Sequence, residues 1–189
     1  MQKAIRTYFD QISTLVHRIP LENIEELVNI IFEAYNNGRR VFIFGNGGGS
    51  ATSSHFVCDL AKGTVTPGKP RLKALSLSDN VPLITAWAND TDYTNTFGEQ
   101  LANLAEKGDV VIGLSGSGMS PNVINAFRVA GRIGAVSVLF SGYSGGDAVK
   151  EATVSIIVPS EDMQQIEDIH LMLCHIVFRM VRNRIRGDI

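Results

Sequence analysis

The side chains able to do chemistry fall into two short segments and two turns. In SSHFVCDL, His55 and Asp59 stand four residues apart and share one face of any helix that holds them. In IEDIHLMLCH, Glu167, Asp168, His170 and His175 crowd together. On a helix Asp168 and His175 share a face, Glu167 lies about 80° round from His175, and His170 faces elsewhere. Alone, His55 and Asp59 make an ordinary local hydrogen bond, and a single helical histidine is usually structural. Drawn together from two helices, the acids and imidazoles suit an acid–base pair or a divalent-metal site. Spacing leaves both open.

The two turns speak of anions. Gly45-Asn46-Gly47-Gly48-Gly49-Ser50 follows an apolar run and opens a helix, where free N–H groups point outward. It has no Lys for a Walker loop and lacks the ribose-binding acid of a dinucleotide fingerprint. The plainer reading is a flexible turn with Ser50 as helix N-cap. Ser115-Gly116-Ser117-Gly118-Met119-Ser120-Pro121 also joins strand to helix, with Pro121 suited to the first helical turn. Ser120 alone would serve as a cap; three hydroxyls exceed that need and can wrap a phosphate. The absence of Lys or Arg suits a sugar phosphate that must be released. Cys58 and Cys174 read as buried small apolar groups.

These groups need a scaffold. Apolar residues at helical spacing run over 3–17 and 21–35, interrupted by Pro20. Strands are expected at 40–44, 72–77, 109–115, 135–142 and 155–159. Helices are expected at about 50–61, 80–88, 94–106, 120–134 and 163–184. Strands alternating with helices give a three-layer α/β/α sandwich on a five-stranded parallel sheet. Ligands then bind beyond the carboxyl ends of the strands, where both turns lie. With 189 residues, one domain over 1–189 is expected, residues 1–38 forming an N-terminal helical extension.

Net charge is −2 and no basic face is implied, so nucleic acid is not expected as a direct ligand. No apolar run approaches a membrane span. Two cysteines and no apolar signal core point to a reduced, cytoplasmic setting. The N-terminal helices and the stripe Ile169, Leu173, Ile176 and Val177 exceed what one sheet face can cover. A homo-oligomer is expected, with Asp59 and His175 able to meet across subunits.

Taken in order, GNGG, HFVCDL, LSLSDN, WAND, GLSGSGMSPNV, SGYSGG and IEDIHLMLCH resemble the sugar isomerase (SIS) domain family, within it the phosphoheptose isomerases. The resemblance runs nearly end to end. It implies the SIS fold, a tetramer, and aldose–ketose isomerisation of sedoheptulose 7-phosphate to glycero-manno-heptose 7-phosphate. It places Asn46, Gly47, Gly48, Asn89 and Asp90 along the sugar, and Ser115, Gly116, Ser117 and Ser120 on the phosphate. Glu167 joins the substrate as well. It makes Asp59 and His175 the acid and base, and His55, Asp59, Glu167 and His175 the ligands of a divalent metal, often zinc. The chain departs from the family where Asp59 replaces Glu, Glu167 replaces Gln, Gly49 replaces Ser and Gly63 replaces Arg. The alternatives are an isomerase of another ketose phosphate, or a non-catalytic SIS module binding a sugar phosphate or a protein, as in replication-initiator-binding relatives. The acid at 59 and His175 favour an enzyme.

Overall fold

The computed structural model describes residues 1–189. Five strands pair in parallel in the order β2-β1-β3-β4-β5: β1 (Arg40–Gly45), β2 (Lys73–Ser76), β3 (Val110–Ser115), β4 (Val136–Ser141) and β5 (Val154–Ile157). Seven α-helices flank them: α1 (Gln2–Val16), α2 (Leu21–Asn36), α3 (Gly48–Cys58), α4 (Val81–Asp90), α5 (Gly98–Leu104), α6 (Pro121–Ile133) and α7 (Met163–Arg186). The expected parallel α/β sandwich is the one observed.

The strands are apolar on both faces because both are covered. Val41, Ile43, Ile112 and Phe140 point to one side, into a core with Leu27 and Ile31 of α2, Phe56 of α3, and Ile169, Leu173 and Val177 of α7. The alternate residues Phe42, Phe44, Val111 and Leu139 point the other way, against Leu101 of α5 and Val123 and Phe127 of α6. Most of the α7 stripe expected to be left for assembly is therefore used within the chain. Ile176 alone of that stripe stays at the surface, 38% exposed, beside Met172 at 37%. Of α1, only Leu15 is buried.

Helix α3 departs from expectation at both ends. It starts two residues before Ser50, behind Gly47 with φ of 52°, so Ser50 lies inside the first turn and caps nothing. At Asp59 the chain widens into a π-helical turn, Asp59–Gly63, where a plain α-helix was expected to Ala61. Such turns recur at functional sites. The Thr64 hydroxyl donates to the Leu60 carbonyl at 2.6 Å. The Phe178 ring fills the space beside Gly63; a Cβ there would stand 2.6 Å from it, so a side chain at that position requires the ring to move. Cys174 is buried, but Cys58 is exposed. Ser53, Phe56 and Leu60 define the inward face of that segment, and Cys58 points away from it.

The strand order also places the site. The chain leaves β1 for β2 on one side and returns to β3 on the other. Consequently α3, after β1, packs on one face of the sheet, and α6, after β3, packs on the opposite face. A crevice opens between the two departing turns, at the switch point of the sheet.

Candidate active site

The glycine and serine turns form the two lips of a cavity of about 270 Å³ at that switch point. Helix α7 closes it with Met163, Glu167 and His170. No Lys or Arg lines it, in keeping with the residue types of the two turns.

The serine turn is wired to donate. Ser115 Oγ donates to Ser120 Oγ at 3.0 Å. Ser117 Oγ accepts the Met119 N–H at 3.2 Å. Ser120 occupies the N-cap position of α6 but makes no capping bond. The hydroxyl protons of Ser117 and Ser120 thus remain free for an anionic oxygen, together with first-turn N–H groups of α6. The capping explanation of these serines is not the one realised. Gly116 lines the same cavity.

The glycine turn is held from behind. Asn46 Nδ2 donates to Asn122 Oδ1 at 2.9 Å, and Asn46 Oδ1 accepts from Asn122 Nδ2 at 2.9 Å and from the Tyr93 hydroxyl at 2.9 Å. The Asn46 side chain is occupied by the scaffold and fixes the turn, leaving Gly47 and Gly48 to present backbone to the cavity. Glu167 lies against Gly48 so closely that a Cβ there would meet Glu167 Oε2 at 2.5 Å. Glycine at 48 is thus what admits the carboxylate.

The second cluster lies further along the same two helices. His55, Asp59 and His175 each offer one ligand atom, all within 4.8 Å of one another. The two imidazole Nε2 atoms are 3.0 Å apart, and Asp59 Oδ2 is 3.5 Å from His55 Nε2 and 3.8 Å from His175 Nε2. All three come from one chain, so no second subunit is needed to join them. Tetrahedral zinc with bonds of about 2.0–2.1 Å requires ligand atoms roughly 3.3–3.4 Å apart. The observed triangle has that size, and three protein ligands leave a position for substrate, as catalytic sites do. The residues fit a divalent metal. Glu167 is not part of this triangle. It sits eight residues before His175, about 12 Å along α7, so turning only 80° does not bring it to the same ion.

Thr52, His55 and Asp59 run along one side of α3, and Glu167 and His175, two spacings of four apart, along one side of α7. The cavity and the histidine–carboxylate cluster therefore lie along the same two helices, the cavity bordered by Thr52 and Glu167 and the cluster made by His55, Asp59 and His175. Asn89 and Asp90 are not brought there. They end α4, which buries none of its residues, and Asn89 Nδ2 donates to Asp90 Oδ1 at 2.9 Å at the surface. Asp168 also turns away, accepting from the Tyr8 hydroxyl of α1 at 2.7 Å. His170 faces away from His175, as expected, and lines the cavity. Its three-residue spacing from Glu167, rather than its angle to His175, carries that information.

The SIS domain family matches residues 7–140. The chain belongs to the SIS domain family. Among SIS relatives, it is 37% identical to the phosphoheptose isomerase of Thermodesulfovibrio yellowstonii over 85% of this chain and 79% of that one. It is 32% identical to the phosphoheptose isomerase of Sulfurimonas denitrificans over 100% of this chain and 96% of the other. The SIS fold is shared with the solved phosphoheptose isomerase of Francisella tularensis, at a TM-score of 0.89 and 24% identity, covering 96% and 98% of the two chains. No helix is long and apolar enough to cross a membrane.

Proposed function

We propose that this SIS protein is an aldose–ketose isomerase that converts sedoheptulose 7-phosphate to glycero-manno-heptose 7-phosphate. The observation that carries the reading is that one pair of helices, α3 and α7, borders two kinds of chemistry. A cation-free, hydroxyl-rich pocket lies at the start of α3, and further along come His55 and Asp59, met by His175 of α7. From Gly48 to His55 is about 10 Å along the helix, a separation that suits an extended sugar with phosphate at one end and carbonyl at the other. The phosphoheptose isomerase relatives, at 37% and 32% identity, support the same substrate.

In this reading Ser117 and Ser120, with backbone of Gly116 and held by Ser115, take the phosphate. Gly47, Gly48 and Glu167 border the sugar, and Asn46 holds their turn. His175 removes the proton that moves between C1 and C2, and Asp59 serves the oxygens as acid. Their reacting atoms, 3.8 Å apart, can address adjacent carbon and oxygen atoms of one substrate. In the metal form of the site His55, Asp59 and His175 would instead hold zinc, which in a site of this kind polarises the carbonyl oxygen, and His175 would then be a ligand and not the proton carrier. Asp59 is one methylene shorter than the family's Glu, and the π-helical turn that begins at Asp59 sets the backbone from which it reaches the two histidines.

Residues 1–189 form one SIS domain with 1–38 as its N-terminal helical extension, and the enzyme works in the cytoplasm as a homotetramer. Support for assembly comes from apolar side chains left at the surface: Ile5 and Phe9 on α1, Val81 and Leu83 on α4, and Met172 and Ile176 on α7. Asn89 and Asp90 would join a site only from a neighbouring copy of the chain.

The test is turnover. The purified protein, with and without added zinc, is incubated with sedoheptulose 7-phosphate and with shorter ketose phosphates, and the aldose product is followed. Conversion of the heptulose phosphate in preference to the others is expected. Binding without turnover of any ketose phosphate would instead make the chain a sugar-phosphate-binding module.

A further inference from the structure

His170 has no part in the chemistry above, yet it is 3% exposed and lines the cavity. Its Nε2 lies 3.2 Å from the Ser141 carbonyl oxygen. A carbonyl only accepts, so Nε2 carries the proton and donates. Burial pushes the His170 pKa down to about 4, against a weaker upward pull from that bond. The ring is therefore neutral at ordinary pH, and Nδ1 is a bare acceptor.

The surroundings fix the ring. Ser141 is the register partner of Ser115 and donates its hydroxyl to the Ser115 carbonyl at 2.7 Å. The Phe140 ring packs against the imidazole with centroids 5.7 Å apart. Nδ1 has no protein partner, and it is not sealed off either: Arg182 Nε is the one fully buried side-chain nitrogen or oxygen left unpaired. The cavity is what Nδ1 can meet.

This divides the cavity into two poles. Ser117, Ser120 and helix N–H groups donate; Glu167 and His170 Nδ1 accept. A phosphate satisfies only the donating pole. The accepting pole needs donors, and a polyhydroxy chain attached to the phosphate supplies them. We propose that His170 is a specificity-determining residue whose Nδ1 accepts a hydrogen bond from a hydroxyl of the sugar chain, so that the cavity selects a sugar phosphate over a bare phosphate. The inference rests on the sugar-phosphate reading of this cavity given above.

Histidine-selective ¹⁵N labelling tests it on the unaltered protein, which has only 4 histidines. In the free protein His170 Nδ1 should show the unprotonated signature, and it should shift on titration with sedoheptulose 7-phosphate but not with inorganic phosphate. A kinetic arm uses His170→Gln, whose amide can keep the donor to Ser141 but has no acceptor at the Nδ1 position. KM for the sugar phosphate should rise about tenfold, the scale of one hydrogen bond left unmade. The kcat and the inhibition constant of inorganic phosphate should stay within about twofold. A shift caused equally by inorganic phosphate, a protonated Nδ1, or an unmoved KM in a folded His170→Gln protein each overturns the proposal. If the unaltered protein binds neither ligand at this cavity, it is the sugar-phosphate reading itself that fails.

Discussion

Asn46 and Asn122 exchange two amide hydrogen bonds, each 2.9 Å, between the glycine turn and the first turn of α6. This is the one place where the two lips of the cavity are tied by side chains. Asn122 is 1% exposed, so water cannot replace what its removal breaks. Asn122→Ala should cost about 1–3 kcal/mol of stability, the scale for stranding buried amide groups. It should also raise KM, because the glycine turn loses its clamp. Urea unfolding and initial rates check both; a stability loss with KM unchanged would show that the pair holds the fold but not the site.

Ser117 offers a free hydroxyl proton to the cavity while its oxygen is held by the Met119 N–H. Ser117→Ala should weaken both sugar phosphate and inorganic phosphate by roughly 1–3 kcal/mol, the scale for leaving a charged acceptor short of a donor. Fold stability should change little, since Ser117 is not buried. Calorimetric titration with inorganic phosphate gives the answer directly, and unchanged affinity would remove the phosphate from this turn.

His55 separates the two forms of the chemistry. His175→Ala should abolish isomerase activity whether His175 carries protons or holds metal. His55→Ala removes a ligand but no proton carrier. Loss of both activity and bound metal in His55→Ala, measured by turnover and elemental analysis, is expected for the metal site. A metal-free protein whose His55→Ala variant keeps full turnover would leave Asp59 and His175 as a plain acid–base pair.

Tyr8 ties α1 to α7 through its hydroxyl bond to Asp168. That bond, reinforced by desolvation and by the Asp168 charge, raises the Tyr8 pKa from 10.0 to about 12. A pKa raised in the folded state favours the protonated phenol. Its contribution is fully present below pH 10 and is lost as pH rises from 10 toward 12. Tyr8→Phe should therefore cost up to about 1 kcal/mol near pH 8, less if solvent screens the pair. The gap between wild type and Tyr8→Phe should close near pH 12. Urea midpoints at several pH values measure it; a gap that does not change with pH would mean that the hydroxyl bond adds nothing.

Local pattern was enough to read the five parallel strands and the pairing of a glycine turn with a serine turn. A strand buried on both faces must be apolar throughout, and a helix start that meets an anion must present small or hydroxylated residues. Both rules act within a few residues of chain. The meeting of His55, Asp59 and His175 needed the tertiary structure, because α3 and α7 are far apart in sequence and only their packing on a common sheet face decides which sides meet. For the same reason Glu167 parts from the metal cluster. Angle round a helix is legible from spacing, but which end of α7 lies beside which end of α3 is not. His170 faces away from His175 as its angle requires, but the cavity it lines is built by the glycine turn, the end of β3, the serine turn and α7 together, and the Ser141 carbonyl that sets its tautomer comes from a strand end 29 residues away. Asn46 lines the cavity, and its amide is held there by Asn122 and Tyr93, partners that only the folded chain brings within reach.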